Sequence, residues 1–516
     1  MPIDTPRWVR DAVFYQVFPD RFARSGRVPS PGPLEAWDTP PTGTGFKGGD
    51  LYGVADHLDH IADLGANAIY LNPIFASTAN HRYHTCDYLR IDPLLGGEAA
   101  FRHLLDAAHA RGIRVVIDGV FNHCGRGFYP FQHVLEAGAA SPYRDWFFLN
   151  PAFLESGRSI RAYPDGAEPV LELSAVDLGD RDGSATFRDL GYQAWWDLPA
   201  LPKLNVRNPE AREYLLAAGE HWIRFGVDGW RLDVPEDLED PEFWREFRRR
   251  IRAIDPEAYI LAEIWFPKAE VLRGDQYDAT MNYPFLTAVV SFAAGPNLDL
   301  AVAAQHGWLG AAVRPLDGPG FAALLGPLMT ELDPDVVAVQ YNLLGSHDTP
   351  RLLTVVGGDA ASVRLAALVQ ATLPGAPAVY YGDEIGMTGS IDPAARAAFP
   401  WDRPDTWDDS IRASLRAAFA LRHERPVLRD GSFRLVGAQG PMVAWVRTLD
   451  GAVALVVLNN GDAPATLGVD APELEGRVLR SVPFPDDDVP VALAPASAAF
   501  EISLPARTGR VFLGGA

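Results

Sequence analysis

The chain has 516 residues, of which 45 are Lys or Arg and 67 are Asp or Glu, giving a formal charge of -22 at pH 7. A field of that sign repels phosphate backbones and anionic lipid, so no nucleic-acid partner and no membrane partner is expected. No window approaches the ~18 consecutive apolar residues of a spanning helix, residues 1–11 hold no signal-peptide core, and 2 cysteines cannot build a disulfide framework; a cytoplasmic protein with two free thiols, Cys86 and Cys124, is the expectation.

Along the chain, short β-rich runs that end in polar or acidic residues alternate with amphipathic segments. The runs are residues 13–19, 66–73, 114–122, 227–235, 258–265, 278–283, 339–348 and 377–384, and the amphipathic segments include 99–111, 209–225, 241–254 and 362–372. Within 241–254, the basic run Arg248, Arg249, Arg250 reads as a solvated helix face. Repeated strand-helix units of this kind predict an α/β fold, a closed (β/α)8 TIM barrel. The gap between residues 122 and 227 is too long for a structureless loop. Its first part, rich in Gly, Pro and aromatic residues, is therefore expected to form an inserted domain over the barrel mouth. After residue 425 the pattern changes to short alternating segments at 433–436, 442–447, 453–459, 477–482, 499–504 and 509–513, which predict a C-terminal antiparallel β-sandwich. The expected division is 1–123 and 206–425 for the barrel, 124–205 for the insert and 426–516 for the sandwich.

In such a barrel the active site lies at the carboxyl ends of the strands. Four of those ends are unusually polar: Asp118-Gly-Val-Phe-Asn122-His123, Gly229-Trp-Arg231-Leu-Asp233, Leu261-Ala-Glu263-Ile-Trp265 and Gly345-Ser-His347-Asp348. Arg231 and Asp233, two apart on a strand, point to the same side. The guanidinium is expected to keep Asp233 ionised, which suits a nucleophile. Glu263, sharing the cavity with Asp233 and Asp348, is expected to hold a proton more tightly than usual, which suits a general acid. Such a pair, about 5 Å apart, performs retaining glycoside hydrolysis. Asp233 would attack the anomeric carbon, Glu263 would protonate the leaving oxygen and later deprotonate water, and Asp348 would hold sugar hydroxyls. Any one of these acids alone could be a paired strand-end cap; three of them together with Arg231, His123 and His347 favour a site.

The segments DGVFNH, GWRLDV, AEIW and GSHD resemble the motifs of the alpha-amylase superfamily of glycoside hydrolases, and the likeness spans the barrel. It implies Asp233 as nucleophile, Glu263 as acid/base and Asp348 as transition-state stabiliser. It also implies that His123, Arg231 and His347 bind sugar and that Asp118 and Asn122 brace the site. Within His81-Arg-Tyr83-His84-Thr-Cys-Asp87-Tyr88, Tyr83 matches the family's sugar-stacking tyrosine, and Asp87 is expected to support Arg231 or the loop. The segment Leu201-Pro202-Lys203-Leu204-Asn205 is similar to a motif of neopullulanases, cyclomaltodextrinases and maltogenic amylases, which adds Lys203 to the substrate-binding residues. Trp265 is expected to line an acceptor subsite, and Trp222 and Trp230 to pack the core. Trp195 and Trp196 are also read as packing, with a place at the cleft edge open to them.

Three departures from that subgroup stand out. The barrel begins within a dozen residues of Met1 instead of after a further domain, so a monomer is favoured. Val234-Pro235-Glu236-Asp237 follows the nucleophile where the subgroup has Val-Ala-Asn-Glu. Residues 23–35, where the subgroup binds calcium, offer only Glu35 as a carboxylate, and calcium wants six to eight oxygens; no metal site and no required cofactor is expected, with calcium left as an alternative at a degraded loop. The implied activity is hydrolysis of α-1,4 bonds in maltooligosaccharides, cyclomaltodextrins or pullulan. A glucanotransferase or isomerase using the same covalent intermediate is the alternative, and a non-catalytic sugar-binding protein a remote one.

Overall fold

The computed structural model describes residues 3–163, 184–267, 269–485 and 491–515. Eight parallel strands, β1 (Phe14–Val17), β2 (Ala68–Leu71), β3 (Arg114–Gly119), β4 (Gly229–Leu232), β5 (Tyr259–Ala262), β6 (Ala279–Thr280), β7 (Tyr341–Leu343) and β8 (Ala376–Tyr380), form one sheet in the order β6-β5-β4-β3-β2-β1-β8-β7. A parallel bridge between Met281 and Tyr341 joins the two edges, and the Asn282 N–H donates to the Tyr341 carbonyl at 2.9 Å, so the barrel closes. Nearly every strand residue is buried, because helices cover one face and the barrel core the other. Phe14, Tyr259 and Tyr341 fill the interior, with Phe14 stacked on Tyr259 at 5.8 Å.

Each expected run overlaps one strand, but most overshoot at the carboxyl end: 227–235 contains Gly229–Leu232, and 339–348 contains Tyr341–Leu343. The polar residues that follow each strand leave the ladder and turn toward the barrel mouth.

The helices are delimited by the residues that flank them. In α1 (Pro209–Phe225), Asn208 accepts from the Glu210 and Ala211 N–H groups, Pro209 opens the first turn, and Gly226 ends it at φ 110°, a conformation costly for any side chain. In α2 (Pro241–Ile254), Asp240 caps Phe243. The basic run on α2 departs from the expected solvated face. Arg248 is buried and pairs with Asp278 at 2.6 Å, and Arg252, one turn on, reaches the same oxygen at 2.7 Å. Their i,i+4 spacing sets both on the barrel-facing side of the helix. Arg250 pairs with Glu213 of α1, leaving Arg249 as the exposed member.

Between β3 and β4 the chain leaves the barrel and is sewn back to it. His123 bridges Lys203, Phe147 bridges Leu204, and the Cys124 N–H donates to the Pro202 carbonyl. Phe131 packs at 4.9 Å against both Phe147 and Tyr192 and centres this segment. Of the expected insert 124–205, residues 164–183 lie outside the described residues, as do 486–490 of the expected sandwich.

The C-terminal strands are β9 (Ser432–Gln439), β10 (Met442–Leu449), β11 (Ala452–Asn459), β12 (Ala465–Asp470), β13 (Leu479–Ser481), β14 (Ala492–Leu493), β15 (Ala499–Leu504) and β16 (Thr508–Gly514). They form an antiparallel sheet β9-β10-β11-β16-β13-β14 and a pair β12-β15, with Val436, Leu455, Leu467, Ile502 and Phe512 in the shared core. β12 and β14 escape the sequence pattern. In β12 only Leu467 and Val469 turn inward, around Gly468. A buried guanidinium joins this unit to the barrel, and a second one, within the barrel, lies beside it. Arg447 of β10 donates to the carbonyls of Thr372, Leu428 and Gly431 at 2.6–2.8 Å, and Arg422 donates to those of Ala371, Leu373 and Gly375. Three of these carbonyls, Ala371 to Leu373, belong to the end of the helix Ala360–Thr372, where no intrahelical partner remains.

Candidate active site

Arg231 on β4 is fully buried at the centre of the barrel mouth. Its Nη1 lies 2.9 and 3.1 Å from the two Asp118 oxygens and 2.8 Å from Asp233 Oδ1, and its Nη2 is 2.8 Å from Glu263 Oε2. Asp118 is the penultimate residue of β3, Asp233 follows β4 by one residue, and Glu263 follows β5 by one residue, so three adjacent strands deliver three acids to one cation. The Asp233 N–H still donates to the Gly119 carbonyl at 3.0 Å, which keeps its side chain on the same side as that of Arg231. The next residue, Val234, turns sharply at φ 34°, a left-handed conformation that costs a β-branched residue about 1–3 kcal/mol. That turn aims the Val234 N–H at Glu263 Oε2, 3.2 Å away.

The electrostatics differ from the sequence expectation at Asp233. Burial, followed by the charges of Glu263 and Asp118, pushes Asp233 well above the usual carboxylate range, against the pull of Arg231. One guanidinium is shared among three acids and cannot neutralise them all. Asp348 is pushed up to about 7, by burial first and Glu263 second, while Arg396 and Arg231 oppose the shift. Arg396, in the loop after β8, holds Asp348 Oδ1 through Nη2 at 3.2 Å and the His347 carbonyl through Nε at 2.8 Å.

His347 Nε2 lies 3.2 Å from Asp348 Oδ2 and 2.7 Å from the Tyr83 hydroxyl, whose ring stacks on the imidazole at 5.4 Å. Burial and the nearby arginines depress the His347 pKa and keep the ring neutral. His123, with its pKa lowered to about 3 by burial, stacks on Trp195 at 4.7 Å; Asn122 sits 3.2 Å from its Nδ1, and its buried Nε2 has no partner among the described residues. Trp265 is layered on Tyr283 at 3.7 Å, and its indole N–H reaches Glu263 Oε1 at 3.3 Å.

Asp233, Glu263, Asp348, Tyr83, His123, Arg231, His347, Trp265, Asp118 and Asn122 thus gather at one mouth. Lys203 and Asp87 have partners within the protein. Lys203 Nζ donates to the Asp237 carbonyl at 2.7 Å, a contact within the wall of the site. Asp87 caps the Leu89 N–H at 2.9 Å, inside the hairpin of Phe75–Ser77 and Thr85–Ile91. It braces that loop and not Arg231, whose carboxylate partners are the three strand-end acids. Trp222 and Trp230 are core, while Trp195 lines the site, held by Asp237 Oδ2 at 2.7 Å. The sequence reading passed over Tyr70, Gln16, Asn72, Tyr283 and Arg396. Tyr70 and Gln16 sit on strands that read as apolar, and Arg396 comes from a loop with no periodicity to flag it.

The residues after β1 do not fit a calcium ion. Lys47, fully buried, places its ammonium 2.5 Å from the Ala36 carbonyl, 2.7 Å from the Thr39 carbonyl and 3.5 Å from the Glu35 carboxylate. A fixed cation already occupies the oxygens a metal would need. Asp50 spends its carboxylate on the N–H groups of Ser25 and Gly53. Among the described residues, no group of three or more His, Cys, Asp or Glu could hold a metal ion, and no helix is long and apolar enough to cross a membrane.

Comparison with known proteins gives a consistent picture. The model of the alpha-amylase catalytic domain matches residues 16–416. A cyclomaltodextrinase of Geobacillus thermopakistaniensis (strain MAS1) is 40% identical over 466 residues, which are 90% of this chain and 71% of that protein. The crystal structure of Ttha1563 from Thermus thermophilus superposes with a TM-score of 0.86 at 44% identity, covering 98% of this chain and 99% of that one. The native debranching enzyme of Nostoc punctiforme gives a TM-score of 0.83 at 40% identity, covering 100% of both chains.

Proposed function

The chain belongs to the alpha-amylase family, and from that premise we propose that it hydrolyses α-1,4-glucosidic bonds of maltooligosaccharides, cyclomaltodextrins or pullulan with retention of configuration. One observation carries this reading: Asp233 and Glu263 flank a single guanidinium, at 2.8 Å from its Nη1 and Nη2. Two acids that share one fork at the barrel mouth are placed to act on the two sides of one bond, and retention is the outcome the family resemblance implies for them.

Asp233, in its ionised form and with its Oδ1 fixed by Arg231, attacks the anomeric carbon. Glu263, aimed by the Val234 N–H and by Trp265, protonates the departing oxygen and then takes a proton from the incoming water. Asp348, between His347 and Arg396, holds sugar hydroxyls and favours the oxocarbenium-like transition state. His123 Nε2 is a free polar atom for a further hydroxyl, and Tyr83 supplies a ring face. The resemblance of the chain to a cyclomaltodextrinase supports the substrate class. The free cysteines, Cys124 buried and Cys86 half-buried, support a cytoplasmic setting, which cell fractionation checks.

No calcium is required in this reading, since Lys47 supplies the charge. The test is cleavage of maltotriose and β-cyclodextrin in excess chelator, followed by NMR of the first product. Release of the α-anomer at an undiminished rate is expected. β-anomer, or activity restored only by calcium, would contradict the proposal, and chains longer than maltotriose would favour the transferase alternative.

Asp348 contributes to the acidic limb of kcat/KM together with Asp233, because both must be ionised for the reaction and both carboxyls are raised, that of Asp348 to about 7. Arg396→Met removes a charge that lowers this value. The acidic limb is therefore expected to move to higher pH, and a profile unchanged in that variant counts against the role of Arg396.

A further inference from the structure

Gln16 interrupts an otherwise apolar and aromatic strand, is 1% exposed, and takes no part in the chemistry above. Its Nε2 lies 3.0 Å from Asn72 Oδ1 and 2.9 Å from His347 Nδ1. The direction of every proton in this network follows from Asp118. That carboxylate is ringed by donors: Arg231 Nη1, the Tyr70 hydroxyl at 2.5 Å and the Tyr83 hydroxyl at 2.9 Å. An ionised carboxylate only accepts, so the single proton of Tyr83 is committed to it. The two other groups at the Tyr83 oxygen, Asn72 Nδ2 at 3.0 Å and His347 Nε2 at 2.7 Å, must then both donate. With its nitrogen so used, Asn72 turns its Oδ1 to Gln16. Gln16 in turn presents its NH2 group, one proton to Asn72 and the other to His347 Nδ1. With Asp118 ionised, nothing in this chain can be reversed without leaving two lone pairs face to face.

We infer that Gln16 is a positioning residue that holds His347 in the neutral Nε2–H tautomer, so that the imidazole donates toward Tyr83 and Asp348 at the site where the sugar is cleaved. The inference rests on the proposed function and names a determinant of it. The amide takes this orientation although its own carbonyl oxygen is buried without a partner among the described residues, which is unfavourable by itself. An amide can only donate from its nitrogen, so it selects the tautomer at every pH, whereas a carboxylate there would select the opposite one. The charged and titratable groups facing His347 are Asp348, Tyr83, Arg396, Arg231 and His81, and the Phe18 ring lies 6.4 Å from the imidazole. Both arginines disfavour an imidazolium and so act in concert with Gln16.

The test reads the tautomer itself. The full chain labelled with 15N-histidine is compared with His347→Asn to assign the signals of His347. A pyridine-type Nδ1 and a pyrrole-type Nε2 are expected, unchanged between pH 6 and 8. In Gln16→Glu the carboxylate should draw a proton onto Nδ1. A wild-type spectrum with the proton on Nδ1, or a Gln16→Glu spectrum identical to wild type, would overturn the inference. This readout needs no turnover, so it stands or falls apart from the substrate assignment. In parallel, Gln16→Met, of similar length, leaves both tautomers open. Its kcat on maltotriose is expected to fall on the order of 10- to 100-fold with a smaller change in KM, as for a misaligned group near the reacting atoms. A folded Gln16→Met with wild-type kcat and pH profile would equally reject the role.

Discussion

Asp233→Asn is expected to lower kcat on maltotriose by at least ~10³-fold while the protein remains folded. The amide keeps an oxygen for Arg231 Nη1, whose contact at 2.8 Å is the main tie on this side chain, but it cannot form the glycosyl ester. A second consequence separates the chemical role from a structural one. Burial raises the Asp233 carboxyl above its value in the unfolded chain, so the folded state binds that proton more tightly. Such a group costs stability as pH rises from the unfolded pKa through the folded one. Asparagine carries no such cost. The variant should therefore melt at a higher temperature than wild type at pH 8, with the difference shrinking toward pH 4. A loss of Tm at pH 8, or turnover within tenfold of wild type, would remove Asp233 from the position of nucleophile. An active site that destabilises its own fold is the expected trade between function and stability.

The barrel was legible because its strands are buried on both faces and its helices carry their own stop signals. Asn208 with Pro209 and Gly226 mark the ends of α1 at residues 209–225 in letters alone. The strand ends were less legible, because departure from the ladder depends on where each polar side chain finds a partner. Glu263 reads as part of a run, yet lies one residue past β5, where Arg231 and the Val234 N–H meet it. β12 was hidden for a different reason: with one inward pair around a glycine, its burial depends on the facing sheet more than on its own alternation.

At the site, the acids and histidines stood out because each sits where an apolar residue would otherwise continue the strand. Tyr70 and Gln16 did not, although both touch the same network, since an aromatic or an amide inside a barrel strand has an ordinary packing explanation. The sign of the Asp233 shift could not be read from spacing. Two residues apart on a strand, Arg231 and Asp233 suggest an isolated pair, and only the fold brings Asp118 and Glu263 to compete for the same guanidinium.

Arg231→Met is the variant in which that competition becomes measurable. Removing one partner of a buried ion pair typically costs about 3–5 kcal/mol, because the other charge is left desolvated and unpaired. Here a single substitution strands Asp118, Asp233 and Glu263 together. Buried acids without a cation hold their protons above the unfolded range, so the deficit in stability should be smallest near pH 4 and widen as pH rises to 8. Arg231→Lys should recover only part of it, since an ammonium is a point charge and cannot present Nη1 to two acids and Nη2 to a third. Both variants are expected to lose more than ~10²-fold in kcat, because Asp233 and Glu263 take their mutual placement from the fork. Chemical denaturation at pH 5 and pH 8 decides the point. A deficit of equal size at the two pH values would mean that Arg231 acts by packing alone, and that the three acids are held in place by something other than its charge.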